Sequence, residues 1–404
     1  MKRIDRPEYL QRIISRKDNG LIKVITGIRR CGKSYLLFDI YYDYLIESGV
    51  PKDNIITVSL DDVEYLEYCD PIKLNEYIKS KLLSDTKQYY IFIDEAQYAI
   101  SKEEMKNPDI PIRLYAVLNG LLRKKNVDVY ITGSNSKFLS TDIMTEFRGR
   151  GDEIHIGPLS FCEYYPASGK DKEEAWKDYI CYGGLPYILS EENDIKKGDY
   201  LEKLYREIYI KDVCERYGIK EENGLEELMK LISSSIGSLT NPQKISDTFN
   251  SAGNKVISMP TIKNYLRFLE EAFIIKKVDR FDLKGRKYIS TPVKYYYSDL
   301  GIRNAMLNFR QVEETHLMEN AIYNELFFRG FKVDVGVVPV NMVDTLHMDT
   351  REKTIQESNS LNRIGDNFKK IIVVKDNIKP WRTEDGILVL GLWDFLLKEN
   401  SMDL

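Results

Sequence analysis

Histidine is nearly missing from this chain. Only His155, His316 and His347 occur among 404 residues, far apart, so neither a histidine metal cluster nor a histidine–nucleophile pair is spelled out. Cysteine is sparse too: Cys31, Cys69, Cys162, Cys181 and Cys214 form no C-x-x-C pair, which excludes a zinc ribbon or a redox pair and leaves reduced thiols in a cytoplasmic protein as the simplest expectation. Long apolar runs are lacking, and nothing approaches the ~18 uncharged residues of a membrane-spanning helix. The basic start Met1-Lys2-Arg3 leads into Asp5, Arg6, Glu8 and Arg12 instead of the apolar stretch of a secretion signal. Charge of one sign is lacking as well: 59 Lys+Arg against 63 Asp+Glu leave a net −4, so attraction to nucleic acid requires a local basic face.

What is present is a globular composition, 43% hydrophobic and 30% charged, on a chain too long for one ordinary core. Apolar runs at Leu21–Thr26, Asn54–Leu60, Tyr89–Ile93 and Val127–Ile131 alternate with helical patterns at Ser34–Glu47, Leu74–Leu83 and Leu114–Arg123. Alternation of this kind predicts a doubly wound α/β sheet with helices on both faces. A mostly helical stretch follows, with a turn at Tyr182-Gly183-Gly184-Leu185-Pro186. Then come three helices (Leu225–Ile236, Asn241–Ala252, Met259–Ala272) and two β-rich runs, the order of a winged helix-turn-helix. A last α/β stretch closes the chain. The expected domains are residues 1–160, 161–223, 224–304 and 305–404.

The strongest motif is Gly27-Ile28-Arg29-Arg30-Cys31-Gly32-Lys33-Ser34, a complete G-x-x-x-x-G-K-[ST] between a predicted strand and a predicted helix. Glycines let the backbone curl so that N–H groups from Gly27 through Tyr35 converge on phosphate oxygens, and the helix adds its positive end. Lys33 is expected on the β- and γ-phosphates and Ser34 on Mg²⁺. The strand Tyr89–Ile93 then ends in two acids: Asp94 to hold the metal shell and Glu95 as base toward an attacking water. Thr132-Gly133-Ser134-Asn135 follows the next strand, where Ser134 or Asn135 either senses the γ-phosphate or supplies only turn chemistry. Arg148 and Arg150 are the candidate arginine fingers, in cis or across a subunit boundary of a homo-oligomer, with a plain basic loop as the alternative.

With these residues in hand the chain resembles a prokaryotic family of AAA-like P-loop ATPases that join an ATPase domain to a winged-helix segment and a restriction-endonuclease-like C-terminal domain. The resemblance is carried by the phosphate loop, Ile93-Asp94-Glu95-Ala96-Gln97, Thr132-Gly133-Ser134, Arg148-Gly149-Arg150, Pro158-Leu159-Ser160-Phe161-Cys162-Glu163-Tyr164 and Tyr182-Gly183-Gly184-Leu185-Pro186. Later, Glu319-Asn320-Ala321-Ile322-Tyr323-Asn324-Glu325-Leu326 with Arg329-Gly330 is similar to the family's C-terminal domain. The family's nuclease acid and lysine pair is not found. Glu319, Glu325 and Asp344 remain as acids a metal could use, with a structural or solvated role expected instead.

Between Lys255 and Lys287 nine Lys/Arg face four acids, a local +5. That balance suits DNA phosphates, with Lys263 and Arg267 toward a groove and Lys284, Arg286 and Lys287 in the wing. Winged helices also serve as protein-binding modules. The leading expectation is a Mg²⁺-dependent ATPase that moves a winged helix. The alternatives are a nucleotide-gated DNA- or protein-binding regulator with little turnover, and a metal-dependent nuclease.

Overall fold

The computed structural model describes residues 3–107, 109–133, 150–220, 222–251, 257–282, 287–310, 314–337, 361–362 and 369–403. Two compact units are present: residues 1–158 with 271–273, and residues 159–270 with 274–404. No described helix is long and apolar enough to cross a membrane.

The first unit is built on a five-stranded parallel sheet. Its strands are β1 Ile22–Thr26, β2 Ile55–Ser59, β3 Tyr89–Asp94, β4 Val127–Thr132 and β5 Gly151–His155, in the spatial order β2-β3-β4-β1-β5. A parallel sheet is covered on both faces, and β1, β3 and β4 are accordingly buried along their whole length. The helix Pro71–Lys81 starts where Asp70 accepts the Ile72 amide at 2.8 Å and Pro71 occupies the first turn. The helix after the phosphate loop continues from Lys33–Tyr35 through a π segment, Leu36–Tyr41, into Tyr42–Glu47.

β5 and the first helix, Pro7–Ile14, were not anticipated. β5 reads Gly-Asp-Glu-Ile-His, too polar to stand out, yet it pairs with β1 in parallel over five positions from Ile22↔Gly151 to Thr26↔His155. At the edge opposite the phosphate loop, Lys23 and Asp128 form a buried ion pair, and Tyr130 donates to Asp128 at 2.7 Å.

In the second unit the helices Glu222–Ser234, Pro242–Ser251 and Met259–Glu271 precede an antiparallel hairpin, β6 Ile275–Asp282 and β7 Lys287–Tyr297. β8, Val335–Val337, pairs in parallel with β6, while β9 Ile371–Val374 joins β11 Leu388–Gly391 and the short β10 Trp381–Arg382 in another sheet. The strands expected to form one terminal α/β layer therefore divide between two sheets. The physical reason is apolar burial: Val333 and Val335 pack on Val278, Tyr296 and Tyr323.

Candidate nucleotide site

The loop after β1 takes its shape from what packs behind it. Gly27 has φ 149°, and a Cβ there would lie 2.1 Å from the Ile156 carbonyl oxygen, so only glycine lets the chain turn this close to the exit of β5. Arg30 and Gly32 complete the curl with φ 66° and 98°. Buried Arg6 clamps it from outside the motif. Its guanidinium donates to the carbonyls of Cys31 and Gly157 at 3.0 Å and of Pro158 at 3.2 Å. Lys33 is buried and folds along its own loop, with Nζ donating to the Gly27 and Ile28 carbonyls at 3.1 Å.

Strand order sets the acids. β4 lies between β1 and β3, and Thr132 at its end pairs with Ile25 while the preceding Ile131 pairs with Ile93, which brings Thr132 level with Asp94. The Thr132 hydroxyl donates to Asp94 Oδ1 and accepts the Glu95 amide at 3.1 Å. Burial pushes the Asp94 carboxyl above the ordinary range, and hydrogen bonds from the Thr132 and Ser34 hydroxyls oppose that push. Glu95 sits in the left-handed region at φ 48°, and Gln97 Nε2 donates to its carboxylate.

Of the residues expected at the site, Ile28, Cys31 and Lys33 are buried, Arg29, Gly32, Tyr35 and Glu95 half-buried, and Arg30 and Ser34 exposed. The loop, Ser34 and Asp94 come together, with Glu95 next along the chain. Ser134 and Arg148 lie outside the described residues. Arg150 requires a correction in the cis half of the expectation only. It precedes β5, and its carbonyl accepts the Ile22 amide at 3.0 Å, so it lies at the opposite edge of the sheet from the loop that follows Thr26. Strand rise separates those edges by about 13 Å. Because β5 runs parallel to β1, residues entering it cannot serve as a finger for their own phosphate loop. Sequence reading missed Arg6, Thr132 and Gln97 as contributors. Gln97 carried a signal in its place behind the paired acids and Thr132 in opening Thr132-Gly133-Ser134, while Arg6 carried none.

A family model described as an AAA domain matches residues 19–165. An uncharacterized protein of Haemophilus influenzae is 32% identical, over 98% of this chain and 99% of its own length. One of Methanocaldococcus jannaschii is 30% identical, over 84% of this chain and 75% of its own length. The chain belongs to one family with these two proteins, and its residues 19–165 form an AAA domain. Its first unit is an α/β P-loop NTPase fold with AAA-type strand order. A second model, described as a domain of unknown function, matches residues 173–313. Among solved structures, the Aeropyrum pernix ORC1 protein in complex with DNA is 14% identical with TM-score 0.31, covering 76% of this chain and 92% of that one. A DNA polymerase III gamma subunit-related protein of Thermotoga maritima is 14% identical with TM-score 0.28, covering 90% and 94%.

The motifs of the second unit turn out to be joints. Ser160 and Glu163 form a reciprocal capping box, which accounts for the Pro-Leu-Ser-Phe run. Asp299 is buried and accepts the Gly184 amide at 2.8 Å and the Ile302 amide at 3.0 Å, with further bonds from Leu185 and Gly301. A Cβ at Gly183 would meet Asp299 Oδ1 at 2.3 Å, and one at Gly301 would meet the Tyr182 carbonyl at 2.0 Å. Asn304 donates to the carbonyls of Ile180 and Cys181 at 2.8 and 2.9 Å. Glu319 is held by Lys294 at 2.6 Å and Tyr296 at 2.5 Å, and Glu325 pairs with Arg329 at 2.7 Å. Asn320 pairs with both backbone groups of Tyr297 at 2.8 Å, as a neighbouring strand would. Asp344 lies outside the described residues.

Lys263 and Arg267 are exposed, on the side of their helix away from buried Ile262, Leu266 and Leu269. Lys284 and Arg286 lie outside the described residues, as does the side chain of Lys287, which opens β7. Lys276, counted toward the basic face, instead turns onto Phe327 with Nζ 3.2 Å from the ring centre, and burial pushes its ammonium down to about 7.

Proposed function

We propose that this chain is a Mg²⁺-dependent ATPase whose turnover is coupled to movement of a DNA-binding winged helix. The observation that carries the reading is the convergence of Ser34 on Asp94, directly behind a loop held open by Gly27 and clamped by Arg6. The amides of residues 27–35 and Lys33 Nζ would hold the β- and γ-phosphates, with Lys33 exchanging its loop carbonyls for phosphate oxygens. Ser34 and Asp94 would hold the metal. Among the described residues no three His, Cys, Asp or Glu side chains form a metal-holding group. Two hard protein oxygens, completed by phosphate and water, suit magnesium, which keeps much of its hydration. The bound metal would neutralise charge on the phosphates. Glu95 accepts a proton from water as the water oxygen bonds to the γ-phosphorus, and the bond to the β–γ bridging oxygen breaks to give ADP and phosphate.

Lys263 and Arg267, four residues apart on one exposed helix face, support DNA contact; the wing residues Lys284, Arg286 and Lys287 complete that reading. The four-part division at 160, 223 and 304 goes with it. The pairing of Glu319 and Glu325 with cations favours the C-terminal segment as scaffold over a nuclease. Ser134 is kept as the γ-phosphate sensor. Arg148 remains a finger candidate, and Arg150 would act on the site of a second copy, which makes a homo-oligomer part of the proposal. Five free thiols suit a cytoplasmic location.

The test is steady-state phosphate release by purified protein with ATP and Mg²⁺, beside equilibrium nucleotide binding. Lys33→Ala is expected to lose binding, and Glu95→Gln to keep binding and lose turnover. Wild-type protein that retains no nucleotide sinks the reading, and binding without turnover leaves a nucleotide-gated regulator.

A further inference from the structure

We infer that Thr132 is a positioning residue for both acids of the site, and that Gln97 completes the clamp on Glu95. The inference rests on the ATPase reading.

The Thr132 hydroxyl has one proton, and its two hydrogen bonds have fixed senses. The Glu95 amide can only donate, at 3.1 Å, so the proton goes to Asp94 Oδ1. One fully buried oxygen thus ties the side chain that would hold the metal to the backbone of the residue that would take the proton. The link exists because β4 is inserted between β1 and β3, so a residue far along the chain from Asp94 lies beside it. It also acts at a strained point. Glu95 is a non-glycine residue in the left-handed region, a conformation that persists only where neighbours hold it.

Gln97 holds the other end. Its Nε2 faces the Glu95 carboxylate, and its Oε1 is buried with no partner among the described residues. A glutamine serving only the turn would place that oxygen on a backbone N–H. Here the amide is oriented by the carboxylate, which occupies Oε2 and leaves Oε1 of Glu95 to accept a proton.

The variants are Thr132→Val, Thr132→Ser and Gln97→Met, each purified as the full chain. Thr132→Val and Gln97→Met should lower kcat by roughly 10–100-fold while KM and the equilibrium Kd for a fluorescent ATP analogue stay within about twofold. Thr132→Ser, which keeps the hydroxyl, should restore turnover. Wild-type kcat in Thr132→Val and Gln97→Met, with Glu95→Gln inactive, overturns the inference and leaves the ATPase reading standing. If Thr132→Val does not fold, half-buried Gln97→Met decides by the same criterion. Wild-type protein that neither binds nor hydrolyses ATP instead removes the reading on which the inference stands.

Discussion

Asp299 makes the stability of the second unit fall as pH rises through the mildly acidic range. Burial raises its carboxyl from 3.8 to about 6, despite four backbone amides that favour the charged form. The folded chain therefore holds the Asp299 proton more tightly than the unfolded chain. Native protein carries more protons between those two values, and stability declines as pH rises between them. The contribution is fully present below the unfolded value of 3.8 and lost above about 6. A difference of about two units corresponds to about 3 kcal/mol. Asp299→Asn cannot titrate, and its amide nitrogen faces either the Gly184 or the Ile302 N–H, a mismatch with a pH-independent cost of about 1–3 kcal/mol. All three tryptophans, Trp176, Trp381 and Trp393, lie in the second unit, so their fluorescence reports on it selectively. Urea unfolding of wild type and Asp299→Asn should show the wild-type advantage shrinking by about 2 kcal/mol from about pH 4 to pH 7. An advantage that stays flat, or grows with pH, would mean that the four amides outweigh desolvation.

Three further outcomes follow from the same geometry. Gly27→Ala forces a methyl group onto the Ile156 carbonyl and should abolish nucleotide binding with little change in the tryptophan-monitored unfolding of the second unit; retained affinity would refute the close approach. Arg329→Met strands buried Glu325 and removes bonds to Phe395 and Ser401, so it should cost about 3–5 kcal/mol in urea unfolding. Lys263→Ala and Arg267→Ala should each weaken DNA binding about equally across unrelated sequences and reduce the slope of log affinity against log salt by about one; an unchanged slope counts against phosphate contact.

The parts legible in the sequence were those written locally. Apolar runs gave β1 to β4, because a strand covered on both faces needs no alternation. The glycines, lysine and serine of residues 27–34 named the loop, and the two acids closing β3 named their own place. What stayed hidden depends on which strands are neighbours. Thr132 reads as the end of any strand until β4 is known to lie between β1 and β3, and Arg6 is one charge among many in a polar opening. Arg150 reads as a finger in cis or in trans, because its distance from the phosphates is not written in the sequence. The direction of β5, a strand too polar to recognise, carries it to the far edge. The Glu319–Glu325 motif was legible as a pattern but not as a purpose, because Lys294, Tyr296 and Tyr297 reach it from another element.

The joint between Tyr182-Gly183-Gly184 and Asp299–Asn304 bears on how the chain can be cut. Two stretches more than a hundred positions apart share their amides and carbonyls with no room for a methyl group between them. A fragment stopping anywhere from 190 to 295 would carry one half of a clasp with its peptide groups bare. Expression of the helical stretch by itself should give aggregated material, whereas a piece running from 159 onward keeps both halves fastened.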